Sequence, residues 1–335
     1  MELRNLQVIR AIAAMMVVLN HFWGPVFGWV FKGIGGMGVD IFFVLSGFLM
    51  VYTQNDSKGP LRFFCDRVKR IYPLYIIVSI PLILANIPVA QHYNFVANFL
   101  LLPEINDFRA RMANAPTWTL VYEMIFYVMF SFTLTFSRSK NFAAMFVSTL
   151  IIASITTSGS LGINDDRRGW VNLGFILQDP LMLNFAAGCL YALIYPKLRA
   201  LISIKTPLFY ITTFALLYIG LFSLSGNPRI ISFGLPAFVI IIIATLSVSG
   251  KGIISNFMHT LGDASYSIYV SHIYFAHLMN DVVIKNNNDK NISIAMSFLL
   301  ITISIIVGVF IHYKVEKPII RRLKQYSKSR IQQPA

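Results

Sequence analysis

Near the start of the chain, in the apolar stretch VIRAIAAMMVVLNHF, Arg10 and His21 are the only ionisable residues. Such side chains are costly to bury in a membrane helix, so each marks a functional position by default. Eleven steps of about 100° end roughly 20° from the start, which places both side chains on one helix face. At about 1.5 Å per residue their axial separation is about 16 Å, near half the hydrocarbon thickness of a bilayer. One face therefore carries a fixed cation near one end and a titratable imidazole farther in. Neutral imidazole takes a proton near physiological pH, which makes His21 the candidate general base. The competing reading is a snorkelling arginine plus a histidine satisfied by a neighbouring helix.

Four other stretches carry chemistry-bearing residues. In FFCDRVKRIYPLY, Arg67 and Arg70 are three apart and share a helix face. Paired guanidiniums at a membrane entrance suit phosphate oxygens; on charge alone, topology signalling and lipid headgroup contact are the stronger explanation. In PTWTLVYEMIFY, Glu123 lies several residues into an apolar span and calls for a partner, such as Arg10, Arg67, Arg70 or His21. In LGDASYSIYVSH, Ser265, Tyr269 and His272 fall on roughly one face and can line a cavity or tie two helices together. The glycines of GIGGMGVDIFFVLSGF match no phosphate-binding fingerprint. They are expected to allow a tight re-entry into the membrane and close helix contact, with Ser46-Gly47 as a small-residue packing spot. Asp40 is expected to cap the following helix, a structural task. His92, His259, His277 and His312 are read as structural.

The elements that must position these groups follow from composition. Of 335 residues, 56% are hydrophobic and only 13% charged, about half the charge of an ordinary soluble domain. Apolar runs near twenty residues recur throughout, which predicts an all-α polytopic membrane protein. Ten spans are expected, at about 6–24, 38–53, 71–89, 118–136, 141–158, 174–195, 207–225, 230–249, 264–284 and 292–312. One domain is expected over 1–335, a helical bundle over 1–313 followed by a basic tail over 314–335. The first span lacks a small-residue cleavage site and is not read as a signal peptide. The net charge of +14 does not indicate nucleic acid. The ten-span topology puts 19 basic residues on one side, including the run from Lys58 to Arg70 and the stretch from Lys314 to Arg330. Eight fall on the other: Lys32, Arg109, Arg111, Arg167, Arg168, Arg229, Lys285 and Lys290. The positive-inside rule then makes both termini cytoplasmic, with the basic side toward anionic lipid. Cys65 and Cys189 are too far apart in context to bridge, and neither has metal-site spacing.

Together and in this order, the motifs resemble membrane-bound acyltransferase family 3. Its hallmark is an arginine and a histidine separated by ten residues in the first span, matched by Arg10 and His21. The resemblance continues through GVDIFFVLSGF, RVKRIYPLY, TWTLVYEMIFY, LGDASYSIYVSH and the closing Glu316-Lys-Pro318. Within the family, the compact length is similar to the exopolysaccharide and O-antigen O-acetyltransferases of the bacterial inner membrane. The resemblance implies transfer of an acyl group, usually acetyl from cytoplasmic acetyl-CoA, to a hydroxyl of a glycan or lipid-linked oligosaccharide, without a metal. On that basis His21 takes the acceptor proton or carries the acyl group itself. Arg10 orients the donor or stabilises the developing oxyanion, and Glu123 sets the charge state of His21 or binds sugar. Arg67 and Arg70 hold coenzyme A, and Trp118, Tyr122, Tyr269 and His272 face the acceptor. Polysaccharide-assembly proteins are expected partners.

Two other classes compete. A secondary transporter or glycan flippase also has many spans and intramembrane charges, but such carriers show two halves with corresponding broken helices, and no repeat is visible. A non-catalytic partner of a polysaccharide synthase would need neither His21 nor Arg10 beyond stability.

Overall fold

The computed structural model describes residues 3–28, 33–88, 91–105, 112–160, 171–224, 226–284 and 290–331. Among these the protein is helical throughout, with two isolated backbone bridges, Glu104 to Asn172 and Ile204 to Ser247, in place of any strand. The expected all-α membrane architecture is what is observed. Seven helical stretches are long and apolar enough to cross a bilayer: Arg4–Phe27, Ile34–Tyr52, Pro60–Asn86, Ala115–Phe136, Lys140–Ser160, Thr206–Ser223 and Asn291–Gln325. The other three expected spans are shorter or interrupted. The segment at 174–195 divides at Asp179-Pro180 into Leu173–Gln178 and Met182–Leu201. A wide π turn, Ile230–Gly234, opens the short helix Leu235–Leu246. The segment at 264–284 is divided at His272 into Ser265–Ser271 and Ile273–Leu278, followed by a π turn, Met279–Ile284.

We label the helices that build the site α1 (Arg4–Phe27), α2 (Ile34–Tyr52), α3 (Pro60–Asn86), α4 (Trp118–Phe136), α5 (Met182–Leu201) and α6 (Ser265–Ser271). The most apolar 18-residue window of α2 is 72% buried, against 22% for that of Thr206–Ser223. This difference makes α2 the central post and Thr206–Ser223 a peripheral, lipid-facing helix. Phe132, Phe136, Ile211, Phe214, Ile306 and Phe310 are exposed on outer faces, as a bundle solvated by acyl chains requires.

Close backbone approach fixes α2. A Cβ on Gly47 would lie 2.1 Å from the Phe185 carbonyl oxygen, and one on Gly188 would lie 2.1 Å from that of Val44. The crossing of α2 with α5 therefore works only with glycine at both places, the small-residue mode of membrane packing.

Two local expectations change. The glycine run is the first turns of α2 itself, which begins at Ile34 with Gly33 as its N-cap; its helical cost is outweighed by contact with α1. Asp40 is consequently an interior residue, fully buried, rather than a cap. The third helix also begins well before the expected 71 and runs through Pro73 and Pro81, as membrane helices tolerate. Arg62, Arg67, Lys69 and Arg70 thus project from a regular helix. Both cysteines are free thiols. Of the charges assigned to the less basic side, Lys32, Arg109, Arg111, Arg167, Arg168 and Lys285 lie outside the described residues, as does the side chain of Lys290.

Candidate active site

α1, α2, α3, α4 and α6 enclose a cavity of about 120 Å³, many times the roughly 15 Å³ that one water needs. Its ionisable lining comprises Arg10 from α1, Arg67 and Arg70 from α3, and Glu123 from α4, with Tyr127, Tyr266 and Tyr269. The i, i+3 spacing of Arg67 and Arg70 does what helix geometry demands and turns both to one side. Arg70 is exposed, while Arg67 and Arg10 are half-buried, so the positive charge leads inward from a mouth.

Each arginine is oriented differently. Arg10 donates from Nη1 to Gln7 Oε1 at 3.2 Å, one turn earlier on its own helix. Arg67 donates from Nη2 to Thr53 Oγ1 at 2.9 Å. Its guanidinium carbon lies 5.2 Å from the Phe63 ring centre and 5.9 Å from that of Tyr127, within cation–π range. Among the described residues, none of these three guanidiniums forms an ion pair.

Glu123 does not pair with any of the partners expected for it. Its Oε1 accepts from Ser46 Oγ at 3.2 Å and from the Tyr127 hydroxyl. Hydroxyl donors hold the carboxylate, and the cationic groups of the cavity lining outnumber its one carboxylate without a direct ion pair among the described residues. The Ser265 hydroxyl, 1% exposed, also lines this space and has no hydrogen-bond partner among the described residues. Buried polar atoms are nearly always satisfied, so Ser265 marks a position that a bound molecule can fill.

Tyr269 closes the deep end. Its ring lies 6.0 Å from that of Phe42, and its hydroxyl bonds to Thr119 Oγ1 at 2.6 Å and to the Pro116 carbonyl. One turn beyond it, His272 meets His21: His272 Nε2 is 3.3 Å from His21 Nδ1, with ring centres 5.0 Å apart. The structure thus gathers Arg10, Arg67, Arg70, Glu123 and Tyr269 at one cavity. His21 and His272 form a second group past the Tyr269 wall.

Trp118 and Tyr122 lie outside that lining. Tyr122 is fully buried and donates to Asp179 Oδ2 at 2.8 Å, with the Trp118 ring edge-on at 5.5 Å. Sequence reasoning missed Ser46 and Tyr127 as partners of Glu123. Tyr127 was detectable from its i+4 spacing; Ser46, on another helix, was not. No group of three or more His, Cys, Asp or Glu side chains able to hold a metal occurs among the described residues.

A family model described as an acyltransferase domain matches residues 3–314. The chain is similar to the exopolysaccharide production protein ExoZ of Rhizobium meliloti, 28% identical over 302 residues that cover 86% of this chain and 90% of that one. It is also similar to the O-acetyltransferase OatA of Staphylococcus aureus, 23% identical over 305 residues. That match covers 81% of this chain but 50% of the relative, so the chain spans about half the length of that protein. Nodulation protein 10 of Rhizobium leguminosarum bv. viciae is 24% identical over 310 residues, covering 82% and 83% of the two chains. No solved structure matches the chain significantly. With its motifs in family order and nearly its whole length matched, the chain belongs to acyltransferase family 3.

Proposed function

We propose that this protein moves an acyl group, acetyl foremost, from cytoplasmic acyl-CoA to a hydroxyl of a cell-surface or exported glycan. The observation that carries the reading is the convergence of Arg10, Arg67 and Arg70 on a cavity whose single carboxylate is held by hydroxyls. Such a surplus of guanidinium charge suits a polyanion, and coenzyme A is one. With both termini cytoplasmic in the bacterial inner membrane, the mouth at Arg70 faces the compartment that supplies the donor. The relatives point the same way, one named for exopolysaccharide production and another as an O-acetyltransferase.

In this reading the donor's phosphates lie against Arg67 and Arg70, its thioester arm runs inward past Arg10 and Ser265, and the Tyr269 side chain must swing aside for the thioester to reach His21. Arg10 is about 16 Å along the helix from His21, far beyond the 3 Å reach of an oxyanion donor. Its role is therefore to orient the donor. The acceptor hydroxyl attacks the thioester carbonyl and His21 removes its proton. Collapse of the tetrahedral intermediate expels the thiolate, which takes up the proton that His21 had removed, leaving the thiol, an ester on the sugar and a neutral His21. A sugar ring can pack on Trp118, with Tyr122 behind it. Lipid-linked oligosaccharides and polysaccharide-assembly proteins are the partners this role requires.

The test is acylation of glycan in cells, read by NMR of the ring protons that ester groups displace, together with radiolabelled transfer by purified protein. His21→Ala should insert and fold normally and transfer nothing. Normal glycan acylation by that variant would end the proposal.

A further inference from the structure

We propose that His272 is a positioning residue that, together with the Val17 carbonyl, holds the proton of His21 on Nδ1 and leaves Nε2 of His21 as the basic nitrogen. The inference rests on the reading of His21 as the proton acceptor, and it comes from following hydrogens through the contact between the two rings.

Backbone carbonyls only accept hydrogen bonds, so a ring nitrogen beside one must carry a proton. His272 Nδ1 lies 2.7 Å from the Tyr269 carbonyl oxygen and 3.3 Å from that of Ile268. Nδ1 therefore donates, and in the neutral ring Nε2 is left with its lone pair. That lone pair faces His21 Nδ1 at 3.3 Å. His21 Nδ1 in turn lies 2.8 Å from the Val17 carbonyl oxygen. Two acceptors converge on one nitrogen, so His21 Nδ1 bears the hydrogen and shares it between them. Only Nε2 of His21 then remains to remove a proton from an acceptor hydroxyl.

The arrangement also accommodates the charge that base catalysis creates. When His21 gains a proton at Nε2, its Nδ1–H still points at the His272 lone pair and the Val17 carbonyl, and both stabilise the cation. His272 is fully buried, with Nδ1 committed to its own helix. Protonating it as well would place two adjacent cations in one buried site. A carboxylate usually performs this orienting task for a catalytic histidine; here Glu123 is held by Ser46 and Tyr127 instead. The ionisable groups around His21 are His272, from the break at the end of α6, and His277 from the helix that follows. Among the described residues neither His21 nor His272 makes a hydrogen bond to a carboxylate.

The experiment uses the full protein in lipid nanodiscs with acetyl-CoA as the probe, following thioester cleavage and radiolabel transfer, with coenzyme A affinity measured separately. His272→Phe keeps a ring but removes one of the two acceptors of His21 Nδ1, leaving the Val17 carbonyl. It should lower kcat about 10- to 100-fold, as expected for losing one hydrogen bond to a ring that becomes charged, with KM and coenzyme A affinity within twofold of the parent. His272→Gln can present Oε1 to His21 and should recover kcat to within about threefold of the parent. Parent-like turnover by His272→Phe would overturn the inference, as would a glutamine variant no better than the phenylalanine one. Should His272→Phe fail to fold, ¹⁵N NMR of histidine-labelled parent protein decides. Protonated Nδ1 and bare Nε2 are expected at both His21 and His272, and a protonated Nε2 on either ring refutes the proposal. An active His21→Ala would sink the base itself, whereas an inactive His21→Ala beside an active His272→Phe would sink only the role of His272.

Discussion

Asp40 and Glu123 are both carboxylates set among arginines, yet they are held in opposite ways. At Asp40 the partner is close and complete. Arg229 reaches Oδ2 from Nε at 3.0 Å and from Nη2 at 2.6 Å, while Asn184 Nδ2 donates to Oδ1 at 2.6 Å. Arg229 also donates to the Gly36 carbonyl at 3.2 Å. One cation and one anion cancel, and no cavity lies between them. Around Glu123 three guanidiniums line an open space with no ion pair, and the carboxylate takes its hydrogen bonds from hydroxyls. The difference separates a closed ion pair from an unpaired charge surplus lining a cavity, the feature on which the proposed donor site rests. Counting arginines would not distinguish the two regions, but asking which atoms satisfy the carboxylate does.

The largest effect that can break this comparison is on the closed pair. Arg229→Ala strands a fully buried Asp40 and should lower stability by about 3–5 kcal/mol, read as the unfolding midpoint in detergent. Replacing both partners by leucine should restore most of that loss, since neither charge is left alone. An unchanged midpoint for Arg229→Ala would deny the pair its structural task.

At the open region the expectation reverses. Arg67→Ala/Arg70→Ala should weaken coenzyme A binding roughly 10- to 100-fold, or about 1.4–2.8 kcal/mol, with little change in the midpoint. Unchanged affinity by calorimetry would return those arginines to topology and lipid contact. Glu123→Gln removes the one negative charge of the lining and should tighten coenzyme A binding about three- to tenfold, even if turnover falls. Weaker binding would show that the carboxylate organises the arginines rather than opposing the ligand. Ser46→Ala should have the smallest effect, a few-fold change in turnover from losing one hydrogen bond of about 1 kcal/mol. A loss as large as that of Arg229→Ala would mean that Ser46 belongs to the packing at Gly47 instead.

Much of this contrast was legible one region at a time. The helices followed from apolar run length, and the shared face of Arg67 and Arg70 followed from their spacing. Gly47 was identified as a packing position because small residues mark close helix crossings. Contacts between distant segments were not legible. Asp40 and Arg229 are 189 residues apart, and His21 and His272 are 251 apart; no local period encodes such meetings. The start of α2 was misjudged because glycine suggests a turn, and the packing that outweighs its poor helix propensity exists only once α1 is in place. Glu123 was matched with Arg10, Arg67, Arg70 or His21 on charge alone, while hydroxyls on α2 and on its own helix took the bonds.

The Gly47–Gly188 crossing has a mechanical consequence. Main chains already in contact cannot slide or swivel past each other, so α2 and α5 act as a riveted joint through any reaction cycle. Whatever compliance turnover demands must come from elsewhere, foremost where the polypeptide is broken at His272 and followed by the wide turn Met279–Ile284.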